Sequence, residues 1–126
     1  MAIKLKKIQR SNPQNKTLVK WYLTQETVGN VGLHEIAKEI EGRSALSLGD
    51  VQSVLSNLME VMPMFLKLGQ SIKLEGFGSF RLSVTSAGTA TADELNAHHV
   101  KGAKLMFLPS VELKRNIEDV SYEIIQ

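Results

Sequence analysis

Residues 71–84, S-I-K-L-E-G-F-G-S-F-R-L-S-V, restrict the possible folds more than any other stretch of the chain. Ile72 and Leu74 alternate with Lys73 and Glu75, the period of two that marks a half-buried strand. Gly76 and Gly78 then permit a reversal that a Cβ would resist. Alternation resumes with Phe80, Leu82 and Val84 on one face and Arg81, Ser83 and Thr85 on the other. The stretch predicts a β-hairpin. Phe77 and Phe80 flank its corner, and Phe107 lies in the next apolar run.

A long helix is predicted just before the hairpin. Ser47 supplies a cap with Asp50 three places on, and Val51, Val54, Leu55, Leu58, Met62 and Phe65 recur at helical spacing over 48–68. Met59, Val61, Met64 and Leu66 widen that arc beyond what one packing face uses, which implies a subunit interface. Pro63 removes a hydrogen bond to residue 59 and is expected to kink or divide the helix. A shorter helix over 33–41 carries Leu33, Ile36, Ala37 and Ile40 on one face and ends at Gly42.

The flanking stretches are less sharply patterned. Residues 2–7 alternate weakly, as an edge strand would; 11–15 form a loop; 18–23 read as a strand. Trp21 and Tyr22 serve either as packing residues or as a base-stacking platform. Beyond the hairpin, a small, polar, non-periodic stretch at 87–99 separates two strands, and Thr91 with Glu94 suggests one helical turn there. The second of those strands covers 100–108. Pro109 is expected to open a last helix with Leu113, Ile117 and Val120 inward, before a short strand over 120–125.

The 126 residues suit one domain with an appended arm. Net charge is +2, but residues 1–20 hold Lys4, Lys6, Lys7, Arg10, Lys16 and Lys20 with no acid, against nine Lys/Arg and thirteen Asp/Glu in the rest. The boundary is therefore drawn as a basic N-terminal arm over 1–20 and a body over 21–126. Such an arm either engages a polyanion or is a solvated tail. The chain has no cysteine, so disulfides and thiolate metal sites are excluded. The N-terminus lacks the apolar segment of a secretory signal, and no run reaches the roughly 18 apolar residues of a membrane helix.

Catalytic chemistry finds little support. His34, His98 and His99 are the only histidines; neighbours on a strand would face opposite ways, and only a loop that brings Asp93 and Glu94 near His98 and His99 would allow a metal site, so no metal centre is expected. G-F-G at 76–78 lacks the third glycine of a dinucleotide loop, no serine stands in a nucleophile elbow, and no carboxylates are paired by spacing. Neither an enzyme nor a bound cofactor is expected, and no small-molecule substrate.

The string L-x-x-G-x-x-I-x-L-x-G-F-G-S-F at 66–80 and F-L-P-S-x-x-L-K at 107–114 resemble the signature of the HU/IHF family of bacterial histone-like DNA-binding proteins. The order and spacing of elements agree over about 32–119, and the basic start with K-W-Y looks like an N-terminally extended HU-like branch. The resemblance implies an α+β fold: two N-terminal helices, a β-hairpin with an extended β-arm, a short C-terminal helix and an intertwined homodimer. Val54, Leu58, Met62, Phe65, Phe77, Phe80 and Phe107 would form the dimer core, and residues 81–106 the arm, with its tip at 88–99. It also implies double-stranded DNA as partner and the bacterial cytoplasm, at the nucleoid, as location. The DNA contacts would come from Arg81, Lys101, Lys104, Lys114 and Arg115, joined by the six N-terminal cations.

The chain departs from that pattern at the arm. HU and IHF are established minor-groove binders that kink DNA with an apolar wedge. The family's wedge is a proline in an R-N-P tip; here the tip has none, unless Leu95 takes its place. Ser83, Thr85 and Ser86 stand where the arm is usually basic, Leu108 and Val111 replace common lysines, and Asp93 and Glu94 make the tip acidic. The leading expectation is an architectural, largely sequence-nonspecific DNA-binding homodimer with little kinking. The alternatives are a scaffold dimer that no longer binds DNA, and single-strand or RNA binding through Trp21 and Tyr22.

Overall fold

In the computed structural model, which describes residues 2–125, strands come before helices. The chain sorts into two compact units, one of residues 1–32 and 117–126, the other of residues 33–116. The expected boundary at 20/21 falls inside a strand, because Lys20 is paired across from Arg10.

The first unit is a three-stranded sheet. Strand β1 (Ile3–Ser11) lies in the middle, antiparallel to β2 (Val19–Gln25) on one side. On its other side it is parallel to the C-terminal strand, Tyr122–Ile124. The N-terminal segment is thus a central strand and neither an edge strand nor a free tail. The turn from 12 to 18 is tied by its own polar groups. Asn12 N–H donates to the Leu18 carbonyl at 2.9 Å, and Asn15 Oδ1 accepts from the Thr17 hydroxyl at 2.6 Å and its N–H at 3.1 Å.

The second unit opens with α1 (Leu33–Glu41) and α2 (Leu48–Lys67). Their buried residues are Ala37 on α1 and Val51 and Leu66 on α2. A reciprocal cap starts α2: Ser47 Oγ accepts from Asp50 N–H at 3.1 Å while Asp50 Oδ2 accepts from Ser47 N–H at 3.3 Å. A Schellman motif ends it, with Gly69 at φ +83° and Gln70 N–H donating to the Phe65 carbonyl at 3.3 Å. Pro63 does not divide the helix, which runs unbroken through it. One missing hydrogen bond is offset by the turns on either side.

The hairpin follows as β3 (Ile72–Leu74) and β4 (Gly78–Ser86). Phe77 N–H closes the turn on the Leu74 carbonyl at 2.9 Å, with Gly76 at φ +82° in the position that favours glycine. At Gly78 the reason for glycine is space: a Cβ would sit 2.6 Å from the Leu108 carbonyl oxygen and from the Phe107 ring. Strand β5 (Val100–Pro109) then pairs antiparallel with β4 from Gly78↔Pro109 out to Ser86↔Val100.

Helix α3 (Val111–Asn116) starts two residues after Pro109, with Ser110 Oγ accepting from Leu113 N–H at 3.0 Å. It is shorter than expected, and Ile117 lies beyond it, exposed rather than inward. Pro109 itself ends β5. The C-terminal strand, numbered β6, completes the first unit's sheet.

Burial is scant throughout. Among the described residues the buried apolar side chains are those of Ala37, Val51 and Leu66, and no large one is fully enclosed. A compact monomer of 14.0 kDa exposes roughly 6,700 Å². This chain exposes 10,672 Å². Much of its apolar surface therefore lacks a cover within one chain.

Candidate functional site

Alternation decides what each strand presents. On the β4–β5 ribbon, Phe80 opposes Phe107, Leu82 opposes Leu105 and Val84 opposes Ala103, so one face is apolar. The other face holds Ser79, Arg81, Ser83 and Thr85 against Leu108, Met106, Lys104 and Gly102. Arg81 and Lys104 are therefore diagonal neighbours on one face of the ribbon. The register slips between Thr85 and Ser86, leaving Lys101 as the extra residue of a bulge. All three cations are exposed. No carboxylate stands on the ribbon between residues 78–86 and 100–109, so nothing on those strands opposes their charge.

At the ribbon's root the three phenylalanines meet. Phe80 and Phe107 have ring centroids 4.8 Å apart, Phe77 and Phe107 5.6 Å, and Phe77 and Phe80 6.2 Å. The cluster is only partly covered, with Phe77 and Phe107 each more than two-fifths exposed. The same is true of α2. Val54, Leu58 and Phe65 are exposed and Met62 is half-buried, so the expected dimer-core residues form an uncovered stripe. Lys114 and Arg115 sit in the last turn of α3, where the helix dipole favours cations.

The far end of the ribbon is closed by Ala87 N–H donating to the His99 carbonyl at 2.8 Å. The tip itself contains two short 3₁₀ turns, Ala92–Glu94 and Ala97–His99. Asn96 Oδ1 accepts from His98 N–H at 2.9 Å, and His99 Nδ1 accepts from Asn96 N–H at 3.1 Å. Leu95, half exposed, stands between the two turns with Asp93 and Glu94 just before it. His98 and His99 belong to this turn and not to a strand.

The N-terminal cations divide in a way their sequence does not reveal. Lys4, Lys6, Arg10 and Lys20 share one face of the β1–β2–β6 sheet with Ile8 and Tyr22. Lys7 lies on the other face, opposite Leu23, and Lys16 is in the turn. On the shared face, Lys4 pairs with Glu123 of β6 and Lys6 with Glu26 at 3.1 Å. Arg10 and Lys20 oppose each other directly, and the Arg10 guanidinium lies 5.7 Å from the centre of the Tyr22 ring. Trp21 projects from the opposite face to Tyr22, so the two adjacent aromatics form no joint stacking platform.

Charge follows these boundaries. Counted over residues 1–32 and 117–126, six cations meet four acids; over 33–116, nine meet nine. The +6 of the first twenty residues thus shrinks to +2 in its folded unit, because Glu26, Glu118, Asp119 and Glu123 join it. The sequence signal for this was slight: the alternation of residues 120–125 suggested a strand, but nothing in it named β1 as partner.

The HU-HIG family, described as an HU domain fused to wHTH, Ig, or Glycine-rich motif, matches residues 1–123. No curated protein matches the chain. Among solved structures, a candidate bacterial DNA-binding protein from Bacteroides vulgatus is similar with a TM-score of 0.69 at 13% identity, over 98% of this chain and 48% of that one. The chain thus spans about half the length of that relative. A point mutant of HU from Thermotoga maritima is similar at TM-score 0.53 and 20% identity, over 70% of this chain and 100% of that one. HU in an Anabaena HU–DNA cocrystal is similar at TM-score 0.51 and 15% identity, over 71% and 99%.

Proposed function

Because the chain belongs to the HU-HIG family, we propose that it is an architectural DNA-binding protein, acting as a homodimer on duplex DNA with little regard to sequence. The observation that carries this reading is the β4–β5 ribbon, which bears Arg81 and Lys104 on one unopposed face and a partly covered phenylalanine cluster at its root. The Anabaena relative is an HU–DNA cocrystal, and the ribbon of this chain offers the same kind of partner a two-stranded element able to lie along a groove. Phosphate contacts dominate such binding and are indifferent to sequence. Lys101 at the bulge, Lys114 and Arg115 on α3, and cations of the N-terminal sheet add to them.

What one chain leaves bare supports the homodimer reading. Val54, Leu58, Met62 and Phe65 on α2, with Phe77, Phe80 and Phe107 at the ribbon's root, would be covered by the same surface of a second copy. Light scattering should give twice the 14.0 kDa chain mass; a monomer at micromolar concentration would sink this part.

The test of function is duplex binding as salt is raised. If about six to ten phosphates are contacted per dimer, affinity falls by roughly 10³–10⁵ between about 50 and 200 mM salt. A scaffold protein that has given up DNA, the reading favoured by the acidic tip, shows no binding even at the low-salt end. The N-terminal cations are tested by charge-removing substitutions, because truncation would take out the central strand of a sheet. Sharp bending is not part of the proposal. The tip carries no proline, so ligation of short duplexes into circles should be stimulated weakly, and strong stimulation would give the wedge role to Leu95.

A further inference from the structure

We infer that the turn end of the β1–β2 hairpin is a second phosphate-binding site for the nucleic-acid backbone, built from Arg10 and Lys20 and positioned by Tyr22. The inference deepens the duplex-binding reading above and rests on it. It separates two of the six N-terminal cations from the rest, which composition alone treats as equivalent.

Three observations converge on this corner. The first is register. Arg10 and Lys20 face each other directly across β1 and β2, and like charges so placed repel. Among the described residues the ion pairs are Lys4–Glu123 and Lys6–Glu26, so neither Arg10 nor Lys20 has a carboxylate. Two cations a strand apart with no internal counterion call for an external anion with two or more oxygens.

The second is orientation. The Arg10 guanidinium lies over the Tyr22 ring at 5.7 Å, within cation–π reach, which restricts the side chain without using its N–H donors. An arginine held this way loses less freedom on gripping a phosphate than one waving in solvent. The third is shape. A cavity of about 510 Å³ opens at this end of the hairpin, lined by Arg10, Asn12, Pro13, Leu18, Lys20 and Tyr22. Two of its lining residues, Asn12 and Leu18, are joined by the Asn12 N–H to Leu18 carbonyl bond at 2.9 Å, so that side of the wall is tied within the chain. Lys16 in the same turn adds charge at the approach.

The chemistry recognised is the phosphodiester, and the occupant is a nucleic-acid backbone. One free phosphate would satisfy the pair as a counterion, but the open, elongated setting on a strand pair suits a chain of phosphates. A base would find the Tyr22 ring already occupied on the face that Arg10 covers.

The experiment uses the full chain and a fluorescein-labelled duplex of mixed sequence, with affinity read by anisotropy as salt is raised. Arg10→Gln/Lys20→Gln should lower the slope of log K against log salt by about 1.8 per chain, two contacts' worth. Lys7→Gln, on the opposite face of the same strand, should change it by less than half as much as Lys20→Gln. Tyr22→Leu leaves the charge intact, yet should weaken binding by about two- to fivefold through loss of the held guanidinium. That readout separates a positioned site from a general positive field. Circular dichroism confirms folding; Lys20→Gln should not lower the melting temperature, since it relieves repulsion.

An unchanged slope in Arg10→Gln/Lys20→Gln, with a lowered one in Arg81→Gln/Lys104→Gln, overturns this site and leaves the ribbon reading standing. The reverse pattern overturns the ribbon reading and leaves the site. Failure of the wild-type chain to bind duplex at about 50 mM salt, where such contacts are strongest, overturns both. If Arg10→Gln/Lys20→Gln lowers co-sedimentation with phosphatidylserine vesicles but not duplex binding, the corner belongs to a lipid surface and the inference is wrong.

Discussion

The sheet of β1, β2 and β6 and the ribbon of β4 and β5 follow the same rule of alternation and reach opposite electrostatic results. The sheet gathers four cations on one face, then quenches two of them with Glu123 and Glu26. The ribbon gathers two, Arg81 and Lys104, and sets no acid against either along its strands. Judged by sequence, the N-terminus is the basic region and the rest is acidic. Judged by faces, the difference narrows to two free cations on each. What a polyanion meets is the unpaired charge on one surface, and a count along the chain overstates it wherever a distant strand returns with carboxylates.

The largest effect that could break this comparison is loss of the surface proposed to join two copies. Leu58→Asp places a charge in the bare stripe of α2 and should leave the chain monomeric by light scattering. Duplex affinity should then fall by on the order of 100-fold, because two linked sets of contacts become one. A monomer that binds as tightly as the parent would mean the ribbons act singly.

Next in size is the ribbon's own geometry. Gly78→Ala drives a Cβ to 2.6 Å from the Leu108 carbonyl oxygen, and backbone cannot swing aside as a side chain can. A loss of about 1–3 kcal/mol is expected, read as a fall in thermal midpoint. A smaller effect tests the ribbon's cations directly. Arg81→Gln/Lys104→Gln should reduce the salt slope by about 1.8 per chain with no loss of fold.

The smallest prediction sharpens the comparison by inverting it. Glu26→Gln removes the partner of Lys6, so the sheet should behave more like the ribbon. Binding should tighten, the salt slope should steepen by up to about 0.9 per chain, and stability should drop by no more than about 1 kcal/mol, as for exposed ion pairs. Weaker binding would show that Lys6 is better placed when tied.

Local chemistry made the helical and hairpin unit legible. Helix α1 spans 33–41 as its periodicity indicated, the Ser47–Asp50 cap is in place, and the turn falls at Gly76. Each of these depends on residues a few positions apart, and the pattern carries the reason with it. The sheet was not legible in the same way. Both strand stretches of the N-terminus were visible, but β1 is central only because β6 arrives from more than a hundred residues away, and alternation names no partner. The same gap hid the Lys4–Glu123 pair, and with it the sorting of cations into tied and free. Tyr22 and Trp21 look like one aromatic patch in the sequence; a strand's pleat sends them to opposite sides.

The parallel strand β6 also sets an order of events during synthesis. All residues of the 33–116 unit are synthesised before β6, whereas β1 must wait with one edge bare. During that interval Glu26 is already present and Glu123 is not, so Lys4 remains uncompensated. Until β6 pairs, the N-terminal hairpin therefore carries one more unpaired cation than the finished sheet, and closing the sheet removes it.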